Sequence, residues 1–127
     1  MKALIVDDSR VMRSILKRFL ASEGFDTLIE AGDGAEALER LKDAGVVDLA
    51  LVDWNMPRMN GFDFLVSMRA NRAFDSVRVM MVTTEAEASQ MSRALEAGAN
   101  EYVMKPFTTE ILRDKLLILG LGGTSDA

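Results

Sequence analysis

Compact apolar runs alternate with amphipathic segments along the chain, and this alternation constrains the fold more than any other feature of the sequence. Residues 3–6 form an apolar run that stops at Asp7 and Asp8. Over residues 9–23 the apolar positions are Val11, Met12, Ile15, Leu16, Phe19 and Leu20, the spacing of one helix face, and Gly24 supplies a stop. The pattern then repeats. A strand over 27–31 precedes a helix from near Asp33 to Gly45, and a strand over 49–53 precedes a helix carrying Phe62, Leu65, Val66 and Met68 to near Asn71. A strand over 77–83 precedes a helix with Met91, Ala94 and Leu95 that Gly98 stops, and a strand over 102–104 precedes one with Ile111, Leu112, Lys115 and Leu116. Strands that are apolar on both faces are buried on both, so the expectation is an α/β domain: five βα units whose helices cover both faces of a parallel sheet. The domain is placed over 1–120, and the Gly- and Ser-rich end, 121–127, is expected to be a flexible tail.

Composition narrows the chemistry. At 127 residues the chain is one domain, large enough to fold on a single core without disulfides or a structural metal. It has no Cys and no His, which excludes thiol chemistry, Ser-His-Asp catalysis, imidazole metal ligands and a phosphohistidine of its own. The net charge of -5 lacks the global basic field of a nucleic-acid-binding domain, so no nucleic-acid partner is expected. No signal-peptide core and no stretch of eighteen apolar residues is visible, so membrane insertion is not expected and the cytoplasm is the expected compartment.

In open α/β sheets ligands bind beyond the carboxyl ends of the strands. In this chain those ends deliver Asp7 and Asp8, then Asp53 followed by Trp54, Asn55, Met56 and Pro57, then Thr83, Thr84 and Glu85, then Lys105 and Pro106. Any one of these acids could simply cap a helix or shape a turn. Four strands delivering hydrophilic groups to one edge are harder to account for that way. Two like charges about 4 Å apart cost roughly 4 kcal/mol at an effective dielectric near 20. So either a carboxyl takes up a proton or a cation sits among them. With oxygen donors alone the cation is a hard one, and Mg²⁺ suits one or two carboxylates and a phosphate oxygen.

The runs IVDDSRVMR, LVDWNMPRMNGFDFL, MMVTTEAE and EYVMKPFT, in that order and spacing, resemble the receiver domain of two-component response regulators, most closely its single-domain chemotaxis members. The resemblance spans about Lys2 to Leu119. It implies a flavodoxin-like doubly wound sheet of order 2-1-3-4-5, for which members of this very family are the standing example. It further implies that Asp53 is the phosphoacceptor and that a separate histidine kinase is the donor. Asp8, Asp53 and the backbone carbonyl of Asn55 would ligate Mg²⁺ (Mn²⁺ able to substitute), with Asp7 assisting. Lys105 and Thr83 would contact the phosphoryl oxygens, Lys105–Pro106 would be cis, and Asn55 and Glu85 would tune dephosphorylation, with or without a phosphatase partner. Thr83 moving inward would let Tyr102 turn from exposed to buried, remodelling the face of the fourth helix, fifth strand and fifth helix for an output protein such as a flagellar motor switch.

Read without the resemblance, Tyr102 is an amphipathic ring at a sheet edge and Trp54 a partly buried aromatic beside a loop. The nine Met residues are read as core packing rather than as a plastic binding surface. Two departures from the chemotaxis pattern stand out: Thr84 in place of a smaller residue, and an acidic Glu85-Ala86-Glu87-Ala88 where the fourth helix is expected to start. Three other functions compete with this reading. A phosphorelay intermediate or phosphate sink uses the same residues. A Mg²⁺-dependent phosphatase with an Asp nucleophile would carry an acid at position 55, and an FMN binder would carry a hydroxyl-rich loop at 7–10.

Overall fold

The computed structural model describes residues 1–84 and 86–121. Five strands, β1 (Lys2–Val6), β2 (Thr27–Ala31), β3 (Leu49–Asp53), β4 (Arg78–Thr83) and β5 (Glu101–Met104), form one sheet in the order β2-β1-β3-β4-β5. Every pairing is parallel. The helices are α1 (Arg10–Ser22), α2 (Gly34–Ala44), α3 (Gly61–Arg69), α4 (Met91–Ala97) and α5 (Thr109–Ile118). The expected α/β architecture and strand order are therefore present.

Alternation along the strands explains the two cores. Leu4, Val6, Ala50, Val52, Val79 and Met81 point to one face, where they pack with Ala37 and Leu41 of α2, Phe64, Leu65 and Met68 of α3, and Met91 and Ala94 of α4. Their neighbours Ala3, Ile5, Leu49, Leu51, Met80, Val82 and Val103 point to the other, against Leu16, Phe19 and Leu20 of α1 and Leu112 and Leu116 of α5. Met68, Met80, Met81 and Met91 are buried, in keeping with the core reading of the methionines.

Helix boundaries follow local chemistry. Ser9, Asp33, Asn60 and Thr108 each accept a backbone N–H of the first turn and so cap α1, α2, α3 and α5. The fourth helix departs from expectation. A 3₁₀ turn at Ala88–Gln90 precedes α4, so Ala86, Glu87 and Ala88 lie ahead of that helix rather than in its first turn. No residue there offers a cap, because Gln90 makes no capping hydrogen bond. Likewise α3 ends at Arg69, and a 3₁₀ turn at Arg72–Phe74, capped by Asn71, leads into β4. At the other end of the chain Leu121 still packs on the core, its amide donating to the Leu116 carbonyl at 2.9 Å. Residues 122–127 of the expected tail lie outside the described residues. Among the described residues no helix is long and apolar enough to cross a membrane.

Candidate functional site

The parallel sheet brings the carboxyl ends of β1, β3, β4 and β5 to one edge, and the first three of these end in Asp7, Asp53 and Thr83, or run directly into them. Asp7, Asp8 and Asp53 each offer a carboxylate oxygen, all within 4.8 Å of one another. Asp53 is 7% exposed and Asp7 1%, whereas Asp8 is open to solvent. Lys105, just past β5, reaches across with its Nζ 3.4 Å from Asp53 Oδ1 and 3.7 Å from Asp7 Oδ2. The backbone holds these groups in place. The Asp7 amide donates to the Ala31 carbonyl, Trp54 to Val82 and Lys105 to Thr83, each at 2.7–3.0 Å. Arg13 of α1 donates to the Asp7 carbonyl. The Lys105–Pro106 peptide is cis, as expected.

Burial is the main electrostatic fact. The Asp53 carboxyl is raised from its ordinary 3.8 to about 6: burial pushes it up most, the charges on Asp7 and, less, Asp8 add to that, and Lys105 pulls it down. A buried carboxylate beside two others is short of positive charge, and one ammonium cannot neutralise three. Asp7 Oδ1 accepts the Ser9 amide at 2.8 Å, but Asp7 Oδ2 is a buried oxygen with no hydrogen-bond partner. An orphaned acceptor aimed into an all-oxygen cluster fits a hard divalent cation. The three acids could therefore hold a metal ion.

The loop after β3 is rigidly built. Gly61 sits where α3 meets the end of β3, and a Cβ there would run into the Asp53 carbonyl. Its amide donates to the Trp54 carbonyl at 2.9 Å. Arg58 holds φ +64° in the left-handed region, and its guanidinium pairs with the buried carboxylate of Asp33. That pair, with the Gly34 amide donating to the Met59 carbonyl at 2.9 Å, straps the loop to the start of α2. Trp54 is buried rather than partly exposed, stacked on Phe62 at 5.7 Å between centroids, and Arg93 of α4 lies 4.7 Å over the Phe62 ring.

The remaining expected positions fall as follows. Thr83 is buried at the end of β4 and its hydroxyl points toward its own loop, 3.2 Å from the Thr84 carbonyl and 3.4 Å from Glu87 Oε1. Tyr102 is half-buried, at neither end of the expected rotation, with Lys115 Nζ 4.9 Å from its ring centroid. Asn55 is exposed and its side-chain amide donates to Glu87 Oε2 at 2.8 Å. Glu85 lies outside the described residues. Sequence reasoning counted Glu87 only among the acids at the start of a helix. Its position four residues after Thr83, in a loop rather than a helix, is what turns it toward the site.

With this geometry in hand, the chain belongs to the response regulator receiver domain family, which matches residues 3–117. Among named relatives it is 42% identical to the chemotaxis protein CheY1 of Helicobacter pylori strain J99 over 94% of this chain and 98% of that one. It is 46% identical to the chemotaxis protein CheY of Pseudomonas aeruginosa over 91% of this chain and 93% of that one. The chemotaxis response regulator CheY4 of Vibrio cholerae superposes with a TM-score of 0.84 at 32% identity, covering 93% of this chain and 97% of that structure. The chain is a two-component response regulator receiver of the CheY-like kind.

Proposed function

We propose that this protein is a phosphorylation switch that receives a phosphoryl group on Asp53 from the phosphohistidine of a histidine kinase. The observation that carries the reading is the Asp53 carboxylate itself, nearly buried at the sheet edge, with Lys105 at 3.4 Å and the orphaned Asp7 Oδ2 beside it. In the transfer an Asp53 Oδ attacks phosphorus in line, the P–N bond breaks, an O–P bond forms, and the departing imidazole takes up a proton. A carboxylate does this only when placed and relieved of charge repulsion, so the site's contribution is positioning and electrostatics. Asp7, Asp8, Asp53 and the Asn55 carbonyl would hold Mg²⁺ (or Mn²⁺), which supplies neutralisation of the phosphoryl oxygens. Lys105, a compact cation able to follow a tetrahedral anion, pairs with the same group. Thr83 donates its hydroxyl to it, and Asn55 and Glu85 govern how readily water removes it.

The readout is a change of partner. Thr83 turning toward the phosphoryl group frees space for the half-buried Tyr102 to move fully inward, a local charge event biasing a two-state element. Elements α4, β5 and α5 leave Leu95, Met104, Ile111, Leu117 and Ile118 exposed, an apolar set suited to docking an output protein. The chemotaxis names of the relatives favour a flagellar motor component as that output, and the cytoplasm as the setting. The protein acts as a signalling domain over 1–120 rather than as a turnover enzyme. The test is intact mass after incubation with Mg²⁺ and acetyl phosphate, and separately with a phosphorylated histidine kinase. Wild type gains one phosphoryl group and Asp53→Asn gains none. Wild type gaining none from either donor would overturn the reading.

A further inference from the structure

We infer that Glu87 is a positioning residue that clasps the two loops at the mouth of the acceptor site and holds the switch in its resting state, an inference that rests on the function proposed above. Its Oε1 accepts from the Thr84 hydroxyl at 2.7 Å, the Thr84 amide at 3.1 Å and the Thr83 hydroxyl at 3.4 Å. Its Oε2 accepts from the Asn55 side-chain amide at 2.8 Å. One carboxylate thus ties the loop after β3 to the loop after β4, directly beside Asp53. Burial pushes the Glu87 carboxyl up, but the bonds from Thr84, Asn55 and Thr83 outweigh it and hold the carboxyl below its ordinary range. The group that closes the clasp is therefore an anion at neutral pH.

Two physical conflicts follow. The Thr83 hydroxyl has a single hydrogen, shared within its own loop between the Thr84 carbonyl at 3.2 Å and Glu87 Oε1 at 3.4 Å, so it must leave that loop to donate to a phosphoryl oxygen. A phosphoryl group on Asp53 would also bring new negative charge toward the Glu87 carboxylate. The clasp and the phosphorylated state therefore compete for the Thr83 hydroxyl and for the space beside it, and opening the clasp favours phosphoryl binding. Glu87 belongs to neither the acceptor nor the metal ligand set, so its removal leaves the chemical groups intact.

The experiment compares full-length wild type, Glu87→Gln and Glu87→Ala in binding beryllium fluoride with Mg²⁺, an inert mimic of the phosphoryl group. Trp54 fluorescence reads the binding, and the Asn55 side-chain amide resonance reads the clasp. Loss of a hydrogen-bonded charged group of this kind predicts binding about five- to tenfold tighter in both variants. In the free Glu87→Ala protein the Asn55 side-chain amide signal should shift from its wild-type position toward that of a solvent-exposed amide, because its bond to Glu87 is gone. Simple charge repulsion is separated by salt: at 1 M the Debye length falls to about 3 Å, and the gain persists only if bonds were broken. Equal affinities, or a gain that vanishes at 1 M salt, would overturn the clasp while leaving the proposed function standing. A wild type that neither binds beryllofluoride nor takes up a phosphoryl group would defeat both.

Discussion

Neighbouring strands β3 and β4 each end at the site, yet they hand the chain on to helices of very different security. After β3, Asn60 caps α3 by accepting the Asp63 amide at 2.8 Å, Gly61 is pressed against the Asp53 carbonyl, and the Asp33–Arg58 pair straps the loop. After β4 comes a 3₁₀ turn and then α4, only seven residues long and without a side-chain cap. A short helix that starts from a 3₁₀ turn, where the Ala88 carbonyl takes the Met91 amide, and that has no side-chain cap gains little from its own hydrogen bonds. The difference assigns the two loops separate duties. Under the function proposed above, the loop after Asp53 would have to hold atoms still for in-line attack, whereas the one after Thr83 would have to be cheap to rearrange.

Four substitutions test that contrast and the burial at the site, in descending order of expected effect. Gly61→Ala forces a Cβ into the backbone at the end of β3, which cannot yield without moving Asp53. Urea unfolding should show a loss of about 3 kcal/mol or more, and phosphoryl uptake should fall with it. A near-neutral result would mean the rigid loop is not rigid.

Asp53→Asn comes second. In the metal-free protein the carboxyl binds its proton up to about pH 6 when folded, against 3.8 ordinarily. Between those values the folded state holds more protons than the unfolded one, so wild-type stability falls as pH rises through that window. Allowing for partial solvation of the cleft, the amide should be more stable than wild type by about 1–2 kcal/mol at pH 7.5. The gap should close below about pH 4 and shrink when Mg²⁺ is added. A pH-independent difference would contradict the burial argument.

The smallest effect sharpens the comparison most. Asn60→Ala should cost about 1 kcal/mol through the lost cap, while Gln90→Ala at the matching position of α4 should cost no more than a few tenths. Equal costs would show that α4 is anchored by something other than its own first turn.

Much of this was legible in the sequence for physical reasons. Continuous apolar runs, buried on both faces, mark strands such as Leu49–Asp53 almost to the residue, because a strand covered by helices on both sides has little room for polar groups before its end. Asp7, Asp53, Thr83 and Lys105 could be placed at one edge because strand ends are fixed by where the apolar run stops. The start of α4 could not be read the same way. Residues 86–90 carry helix-forming Ala and Glu, and only tertiary contacts, Glu87 turned toward Thr84 and Asn55, pull them out of the helix. The Asp33–Arg58 strap was also hidden. Pairing across 25 positions leaves no local pattern, and Asp33 reads simply as a helix cap. Trp54 was underestimated in burial because the partner that covers it, Phe62, reaches back from the next helix.

The far end of α4 behaves unlike its start. Arg69 of α3 spends its guanidinium there, with two bonds to the Gly98 carbonyl at 3.0 and 3.1 Å and others to the Val77 and Phe74 carbonyls and the Asn100 side chain. Gly98 itself takes φ +117°, with the Arg69 stem lying where a side chain would stand. A rod pinned at one end and loose at the other does not translate; it pivots. Any swing of α4 then grows with distance from Gly98, so a partner resting on its first turn is moved farthest, while one gripping the last turn feels almost nothing.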